Sequence, residues 1–260
     1  MNVSDVKICV LMWYDESCKE FGDINYKINK AYCDKHGYDI IRDSQRRMPN
    51  REPNFERIAL AKKYLPHYDY VIWIDADAYF YIDSPPIDLV INDYSEFDFI
   101  LSSDNDDDPV APDVELPVFH GHTKHPDWER LEKFPNHGAE KINSGVFIVK
   151  NTAYSMMILD LWGFDGHFYE EGLGYYDQGV LRLLHLRNVS QFQEHSVLFP
   201  FGFLQIYLED QRFYSQSCID LLSYYKMEKE FIYHNAGKDD GTRVGDSNNY
   251  YNLHFSGWDC

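Results

Sequence analysis

Asp69-Tyr-Val-Ile-Trp-Ile-Asp75-Ala-Asp77-Ala-Tyr-Phe80 is the stretch on which the rest of the chain turns. Tyr70 to Ile74 is apolar without a polar alternation, so it reads as a strand covered on both faces, as in a parallel sheet between helices. The run gives out on a carboxylate, and a second follows two residues later. Ligands of an open α/β sheet collect at the carboxyl ends of its strands. The backbone leaves the sheet there, so both carboxylates can converge on one point, although an ideal strand would merely set them on one side. Two hard oxygen anions suit Mg²⁺ or Mn²⁺, and such an ion suits a diphosphate. The plainer alternative is that Asp75 caps a turn and Asp77 is solvated.

Strands and helices alternate outward from this segment. Val6–Met12 and Tyr38–Arg42 read as strands before it, and Phe97–Leu101 as one after it. Asp23–His36 has helical spacing at Ile24, Ile28, Ala31 and Tyr32, with Gly37 as its cap. A second helix is expected over Asn54–Leu65, capped by Asn54, turning Ile58, Ala59, Ala61 and Leu65 inward and ended by Pro66. This β-α-β-α-β order points to a three-layer α/β fold with a parallel sheet. Residues 104–136, rich in Pro, Asp and His, read as a surface loop. Gly145–Lys150 returns as a strand, followed by helices near Ala153–Trp162 and Asp177–Leu186. No repeat or linker divides the chain, so residues 1–260 are expected to form a single domain.

Composition narrows the partners. Of 260 residues 44% are apolar and 26% charged, enough for a sizeable core. A net charge of −19 excludes a surface that coats nucleic acid or an anionic membrane. A polyanionic ligand would need a local positive charge such as a divalent metal. The aromatic share of 17% suits stacking on nucleobases or sugar rings, and equally an aromatic core. No signal peptide and no membrane span is legible, which gives the expectation of a cytoplasmic or otherwise soluble protein. Cys9, Cys18, Cys33, Cys218 and Cys260 lack Cys-x-x-Cys spacing and read as free thiols.

Three later segments join the carboxylate pair. Ile142-Asn143-Ser144-Gly145 puts a small polar turn at the head of a strand, where Gly145 allows close backbone approach and Asn143 offers donor and acceptor. Tyr175-Tyr-Asp177-Gln178 sets an acid and an amide at a helix start, where Asp177 is also a good N-cap. Ile232-Tyr-His234-Asn-Ala-Gly237-Lys238 ends an apolar run on an imidazole, followed by a glycine and a lysine. His234 can join the metal and Lys238 can neutralise phosphate oxygens. Taken singly, each segment has an ordinary structural reading.

Together, the Tyr-Val-Ile-Trp-Ile-Asp-Ala-Asp-Ala box, the Asn-Ser-Gly strand, Asp177-Gln178 and His234 with Gly237 and Lys238 resemble the GT-A class of nucleotide-sugar glycosyltransferases. The resemblance spans roughly Val6 to Lys238. Within the class it is to the galactosyl/mannosyl/xylosyltransferase family, which includes plant xyloglucan xylosyltransferases and fungal α-mannosyltransferases. It implies an α/β, Rossmann-like fold with a mixed central sheet flanked by helices. It also implies that Asp75, Asp77 and His234 hold Mn²⁺ (or Mg²⁺) on the diphosphate of a nucleotide-sugar donor, a UDP-sugar ahead of a GDP-sugar. By the same resemblance Lys238 and Gly237 meet phosphate, and Arg57 stands where the family carries a basic donor-binding residue. Asn143, Ser144, Gly145, Asp177 and Gln178 then lie around the donor and its transferred sugar, which passes to a hydroxyl of a glycan or other acceptor. Family members usually begin with a membrane anchor, which is not seen in this chain.

Cleaving a sugar–phosphate bond builds negative charge on the departing diphosphate, which the metal and Lys238 would stabilise. Retention of configuration, implied by the resemblance, needs no strong base; inversion would assign that role to a carboxylate such as Asp177. Other classes fit less well. A haloacid-dehalogenase-like phosphohydrolase also uses Asp-x-Asp after a strand, with Asp239-Asp240 imitating its late acidic motif, but Tyr79 stands where Thr or Val is expected. Asp104, Asp106, Asp108 and Glu115 echo a calcium loop that Pro109 and Pro112 interrupt. His120, His122, His125 and His137 suggest zinc without an acidic or Cys partner at helical spacing. A non-catalytic carbohydrate-binding protein is the remaining alternative.

Overall fold

The computed structural model describes residues 6–103, 142–163, 176–200, 202–206, 216–235 and 240–255. Nine strands are described: β1 (Ile8–Trp13), β2 (Asp39–Asp43), β3 (Tyr70–Ile74), β4 (Ala78–Phe80), β5 (Phe99–Ser103), β6 (Ile142–Lys150), β7 (Ser196–Phe199), β8 (Gln205–Ile206) and β9 (Ile232–His234). The described helices are α1 (Lys19–His36), α2 (Glu56–Tyr64), α3 (Asp88–Asp93), α4 (Ala153–Gly163), α5 (Tyr176–Leu186), α6 (Gln216–Tyr224) and α7 (Asp240–Phe255). None of them is long and apolar enough to cross a membrane.

The central sheet has the order β2-β1-β3-β6-β5-β7. β1 pairs parallel with β2 and β3, and β5 with β7, while β6 runs antiparallel to both β3 and β5. The sheet is therefore mixed rather than parallel throughout. The apolar runs lack alternation because alternate side chains feed two cores. Ile8, Val10 and Met12 of β1 and Tyr70, Ile72 and Ile74 of β3 enter one cluster, with Tyr32 and Cys33 of α1. Cys9, Leu11, Val71 and Trp73 enter the other, with Ile58 of α2, Leu159 and Trp162 of α4 and Leu181 of α5. Helices thus cover both faces, in three layers.

A smaller sheet, β4-β9-β8, lies beside the first. Asn29 of α1, fully buried, ties it down: its amide donates to Ala78 O at 3.1 Å and accepts from Phe80 N at 2.8 Å. These bonds occupy polar groups of β4 on the side away from β9, so α1 substitutes for a further strand.

Local boundaries differ from the sequence expectations for identifiable reasons. α1 begins at Lys19 rather than Asp23, because Asp15 caps a 3₁₀ turn over Glu16–Cys18 that leads straight into it. Gly37 does close this helix, at φ 78°, with its N–H on Cys33 O. Asn54 does not cap α2. It sits inside a 3₁₀ turn, Pro53–Phe55, and α2 starts at Glu56 with no side-chain cap. Pro66 falls within a further 3₁₀ turn, Leu65–His67, as α2 runs out. Cys9, Cys18, Cys33 and Cys218 are free thiols. The 104–137 segment, with its calcium-like and histidine-rich motifs, and Cys260 lie outside the described residues.

Asn29→Ala is expected to lower the unfolding free energy by about 2–4 kcal/mol, since two buried backbone groups lose their partner. Urea denaturation followed by circular dichroism reads this as a lower midpoint at unchanged slope.

Candidate active site

β3 ends at Ile74 and the chain turns out of the central sheet. Asp75 N donates to Gly145 O at 2.9 Å, Ala78 N to Asp75 O at 3.0 Å, and β4 begins in the second sheet. β4 pairs antiparallel with β9, which sets Ala78 opposite His234, and Asn235 N donates to Asp77 O at 2.9 Å. Two adjacent acids and an imidazole from far down the chain thereby meet. One ligand atom from each of Asp75, Asp77 and His234 lies within 4.8 Å of the others, the one such cluster among the described residues. His234 Nε2 is 3.2 Å from Asp77 Oδ1 and 3.8 Å from Asp75 Oδ2.

The other histidine nitrogen, Nδ1, lies 2.9 Å from Gln205 Oε1. With that carbonyl oxygen as acceptor Nδ1 carries a proton, which leaves Nε2 facing the carboxylates and free, once deprotonated, to offer its lone pair to a cation. Gln205 reaches this place because β8 runs beside β9, with Gln205 opposite Ile232. Two carboxylates and an imidazole nitrogen form a donor set suited to a hard or borderline divalent cation. Space for it comes from Gly145: a Cβ there would lie 2.3 Å from His234 Cε1 and 3.0 Å from Asp75 Oδ2.

Arg57 of α2 forms the buried floor. Its Nη1 donates to Ser144 O at 2.7 Å and Ser144 Oγ at 2.6 Å, and its Nε to Asn54 O at 3.0 Å. The same guanidinium is 3.3 Å from Asp75 Oδ1 and 3.4 Å from Asp177 Oδ2. Trp73 Nε1 donates to Asp75 Oδ1 at 2.7 Å. Gln178 Oε1 accepts from Ser144 N at 2.9 Å, and Asn143 Oδ1 from Gly145 N at 2.7 Å. Arg57, Asp75, Asp77, Asn143, Ser144, Gly145, Asp177, Gln178 and His234 are therefore one contiguous cluster. Gly237, Lys238 and Asp239 lie outside the described residues.

Two local expectations are corrected. Asn143-Ser144-Gly145 is not a turn ahead of a strand: β6 already starts at Ile142, and its pairing with β5 shifts register between Leu101 and Ser102. Asp177 is not an N-cap but stands within the first turn of α5, its own carbonyl accepting from Trp162 Nε1 at 2.7 Å. Trp73, Gln205 and Arg243 escaped the sequence reading. Trp73 resembled any core residue, Gln205 lies on a two-residue strand without periodicity, and Arg243 is one polar residue of a polar helix. Arg243 Nε is 3.2 Å from Asp77 Oδ2.

Charge and burial set the protonation of the cluster. Burial pushes Asp75 up, opposed by Arg57 and His234. At Asp77 burial is outweighed by His234 and, further, by Arg243, so this carboxyl is held below its ordinary value. Burial would depress His234, but Asp77 outweighs it and raises the imidazole. Asp177 is pushed up to about 6 by burial, against the pull of Arg57.

The sequence profile of the galactosyl transferase GMA12/MNN10 family matches residues 3–238. The chain belongs to this family. The family is one of glycosyltransferases, which favours that class over the phosphohydrolase and carbohydrate-binding alternatives. Among characterised relatives, galactomannan galactosyltransferase 1 of Cyamopsis tetragonoloba is 24% identical over 140 residues, 53% of this chain but 26% of that protein. The match thus spans about a quarter of the relative's length. Among solved structures, a glycosyltransferase involved in glycosylation of the major capsid of PBCV-1 superposes with a TM-score of 0.58 at 12% identity, covering 93% of this chain and 99% of that one. The galactosyltransferase LgtC, in complex with donor and acceptor sugar analogs, gives a TM-score of 0.51 at 14% identity, covering 95% of each chain. At such identities these likenesses show the fold, which is that of GT-A glycosyltransferases.

Asp177 supplies a pH test. With its carboxyl raised to about 6 from 3.8, its contribution to stability is fully present below the ordinary value and is lost as pH rises through about 6. Asp177→Asn is expected to gain thermal stability relative to the parent protein at pH 8 but not at pH 4, as read by melting curves in EDTA.

Proposed function

We propose that residues 1–260 form one GT-A domain that moves a sugar from a nucleotide-diphosphate donor to a hydroxyl of a glycan acceptor, using a divalent cation held by Asp75, Asp77 and His234. What carries this reading is the convergence of those three side chains within 4.8 Å where β3 ends, in a chain of a glycosyltransferase family. Manganese is favoured ahead of magnesium, and a UDP-sugar ahead of a GDP-sugar. When bound, the cation supplies positive charge for the departing diphosphate.

The chain's own residues have separable tasks in this proposal. Gln205 fixes the His234 tautomer, while Trp73 and Arg57 fix Asp75. Gly145 keeps the backbone of β6 clear of the three ligands. Gly237 and Lys238 follow His234 so closely in sequence that they are assigned to the phosphates. Asn143, Ser144 and Gly145 line the donor, with Arg57 beneath them. Asp177 and Gln178 lie beside the transferred sugar and orient it, which excludes water from the reacting carbon. Transfer with retention is favoured, because Asp177 is only 1% exposed and faces Arg57. That placement suits a charge that orients groups rather than a base open to the acceptor's proton.

A panel of UDP- and GDP-sugars, with and without Mn²⁺, tests the proposal. Nucleotide release from one sugar nucleotide is expected with Mn²⁺, to stop in EDTA and to return with excess Mn²⁺. Asp77→Asn is expected to cost roughly two orders of magnitude or more in rate. No release from any donor, in protein shown to be folded, would sink the proposal. Gln205→Ala is expected to weaken Mn²⁺ binding about 10–100-fold, measured by calorimetric titration, because the histidine loses the partner that orients it.

A further inference from the structure

Behind the turn that carries the two acids, three neutral polar side chains are wholly buried and incompletely paired. Asn25 of α1, Asn235 just past β9 and Ser247 of α7 are each 0% exposed. Asn25 Oδ1, both amide atoms of Asn235 and Ser247 Oγ have no hydrogen-bond partner among the described residues. Buried polar groups are rarely left so, because burial strips them of water without replacing it. Both asparagines belong to the acid turn. Asn25 Nδ2 donates to Ala76 O at 2.8 Å, and Asn235 N to Asp77 O at 2.9 Å, so they hold successive carbonyls of one short segment.

Ser247 reaches the same place through the packing of two helices. α1 and α7 lie side by side: the Arg243 guanidinium rests 5.5 Å from the Phe21 ring centroid, Lys27 Nζ is 5.8 Å from that of Tyr251, and Phe255 clusters with Ile28. Ser247 stands one helical turn from Arg243 and one from Tyr251, which brings it level with the part of α1 that holds Asn25. Arg243 Nε, 3.4 Å from Asn235 O, ties that end of α7 to β9. Alternation along β9 sends the Asn235 side chain the same way as Tyr233, which clusters with Ile28 and Phe255 of the two helices. The unpaired atoms therefore collect where α1, α7 and the end of β9 meet.

We propose that this junction is an internal water site, in which bound solvent bridges Asn25, Asn235 and Ser247 and so braces the backbone between Asp75 and Asp77. A buried water makes about 2–4 hydrogen bonds. The junction supplies both kinds of partner: amide oxygens that accept, an amide nitrogen that donates, and a hydroxyl that does either. A cation there would face the Asn235 amide N–H and the neighbouring Arg243, and an anion would face amide oxygens. The site depends on neutral side chains alone, so it stands whether or not a cation binds the acids on the other side of the turn.

A crystal structure of the full chain without metal, at a resolution that shows ordered solvent, tests this together with melting curves of N235L and S247A. Solvent density is expected within about 3.2 Å of Ser247 Oγ, Asn25 Oδ1 and an Asn235 amide atom. Both variants should melt roughly 2–6 °C below the parent protein, because each leaves the remaining groups short of a partner. The double variant should lose less than the sum of the two, because the partners are shared. Dry, unpaired groups would give the opposite sign, since deleting one of them raises the melting temperature. Should N235L fail to fold, S247A and the density still decide. A junction without ordered solvent, side chains paired directly instead, or an S247A protein that melts at or above the parent overturns the proposal.

Discussion

Two carboxylates two residues apart, both mostly removed from water, are the constraint around which this protein is arranged. The Asp75 and Asp77 side chains are 21% and 14% exposed. Two like charges about 4 Å apart repel by roughly 4 kcal/mol at the effective dielectric of a protein surface, and burial adds to that. The fold answers with positive or polarisable groups from separate parts of the chain: Arg57 from α2, His234 from β9 and Arg243 from α7. None is local to the acids. Assembling the cluster therefore requires the central sheet, the second sheet and α7 to be in place together.

Strand direction explains why the small residues of β6 share this edge. A parallel neighbour of β3 would bring its carboxyl end there, but β6 runs antiparallel, so its first residues lie beside the last of β3. Gly145 O accepts from Asp75 N, and Arg57 reaches Ser144 from below. The reversed strand thus delivers backbone and small polar groups where a bulky side chain would meet His234. The second sheet performs the matching task from the other side. Its three short strands gain little from their own pairing and depend on the buried amide of Asn29 and on packing against α1.

Much of the architecture was legible because burial on both faces leaves a signature in sequence. β1, β3 and the Val146–Val149 half of β6 are nearly unbroken apolar runs, each divided residue by residue between two cores, and the carboxylates mark where the β3 run ends. His234 was visible for the same reason, at the end of Ile232–Tyr233. What escaped notice lacked any period. β8 has two residues, so Gln205 had no pattern around it, and the cap expected at Asn54 was replaced by a 3₁₀ turn, with the Asn54 carbonyl accepting from Arg57 Nε. Asp177 looked like a cap because acids favour helix starts, yet tertiary packing against Arg57 buries it.

The order of elements, the acids at the strand end, the imidazole and the family follow from the chain's own letters, because apolar period and short polar motifs are local properties. Which oxygen of Asp77 faces His234, which arginine holds which acid, and that Gln205 selects the tautomer were settled only in three dimensions. Those relations join residues from 18 to more than 150 positions apart, and contacts at such separations carry no imprint in the spacing of neighbouring side chains.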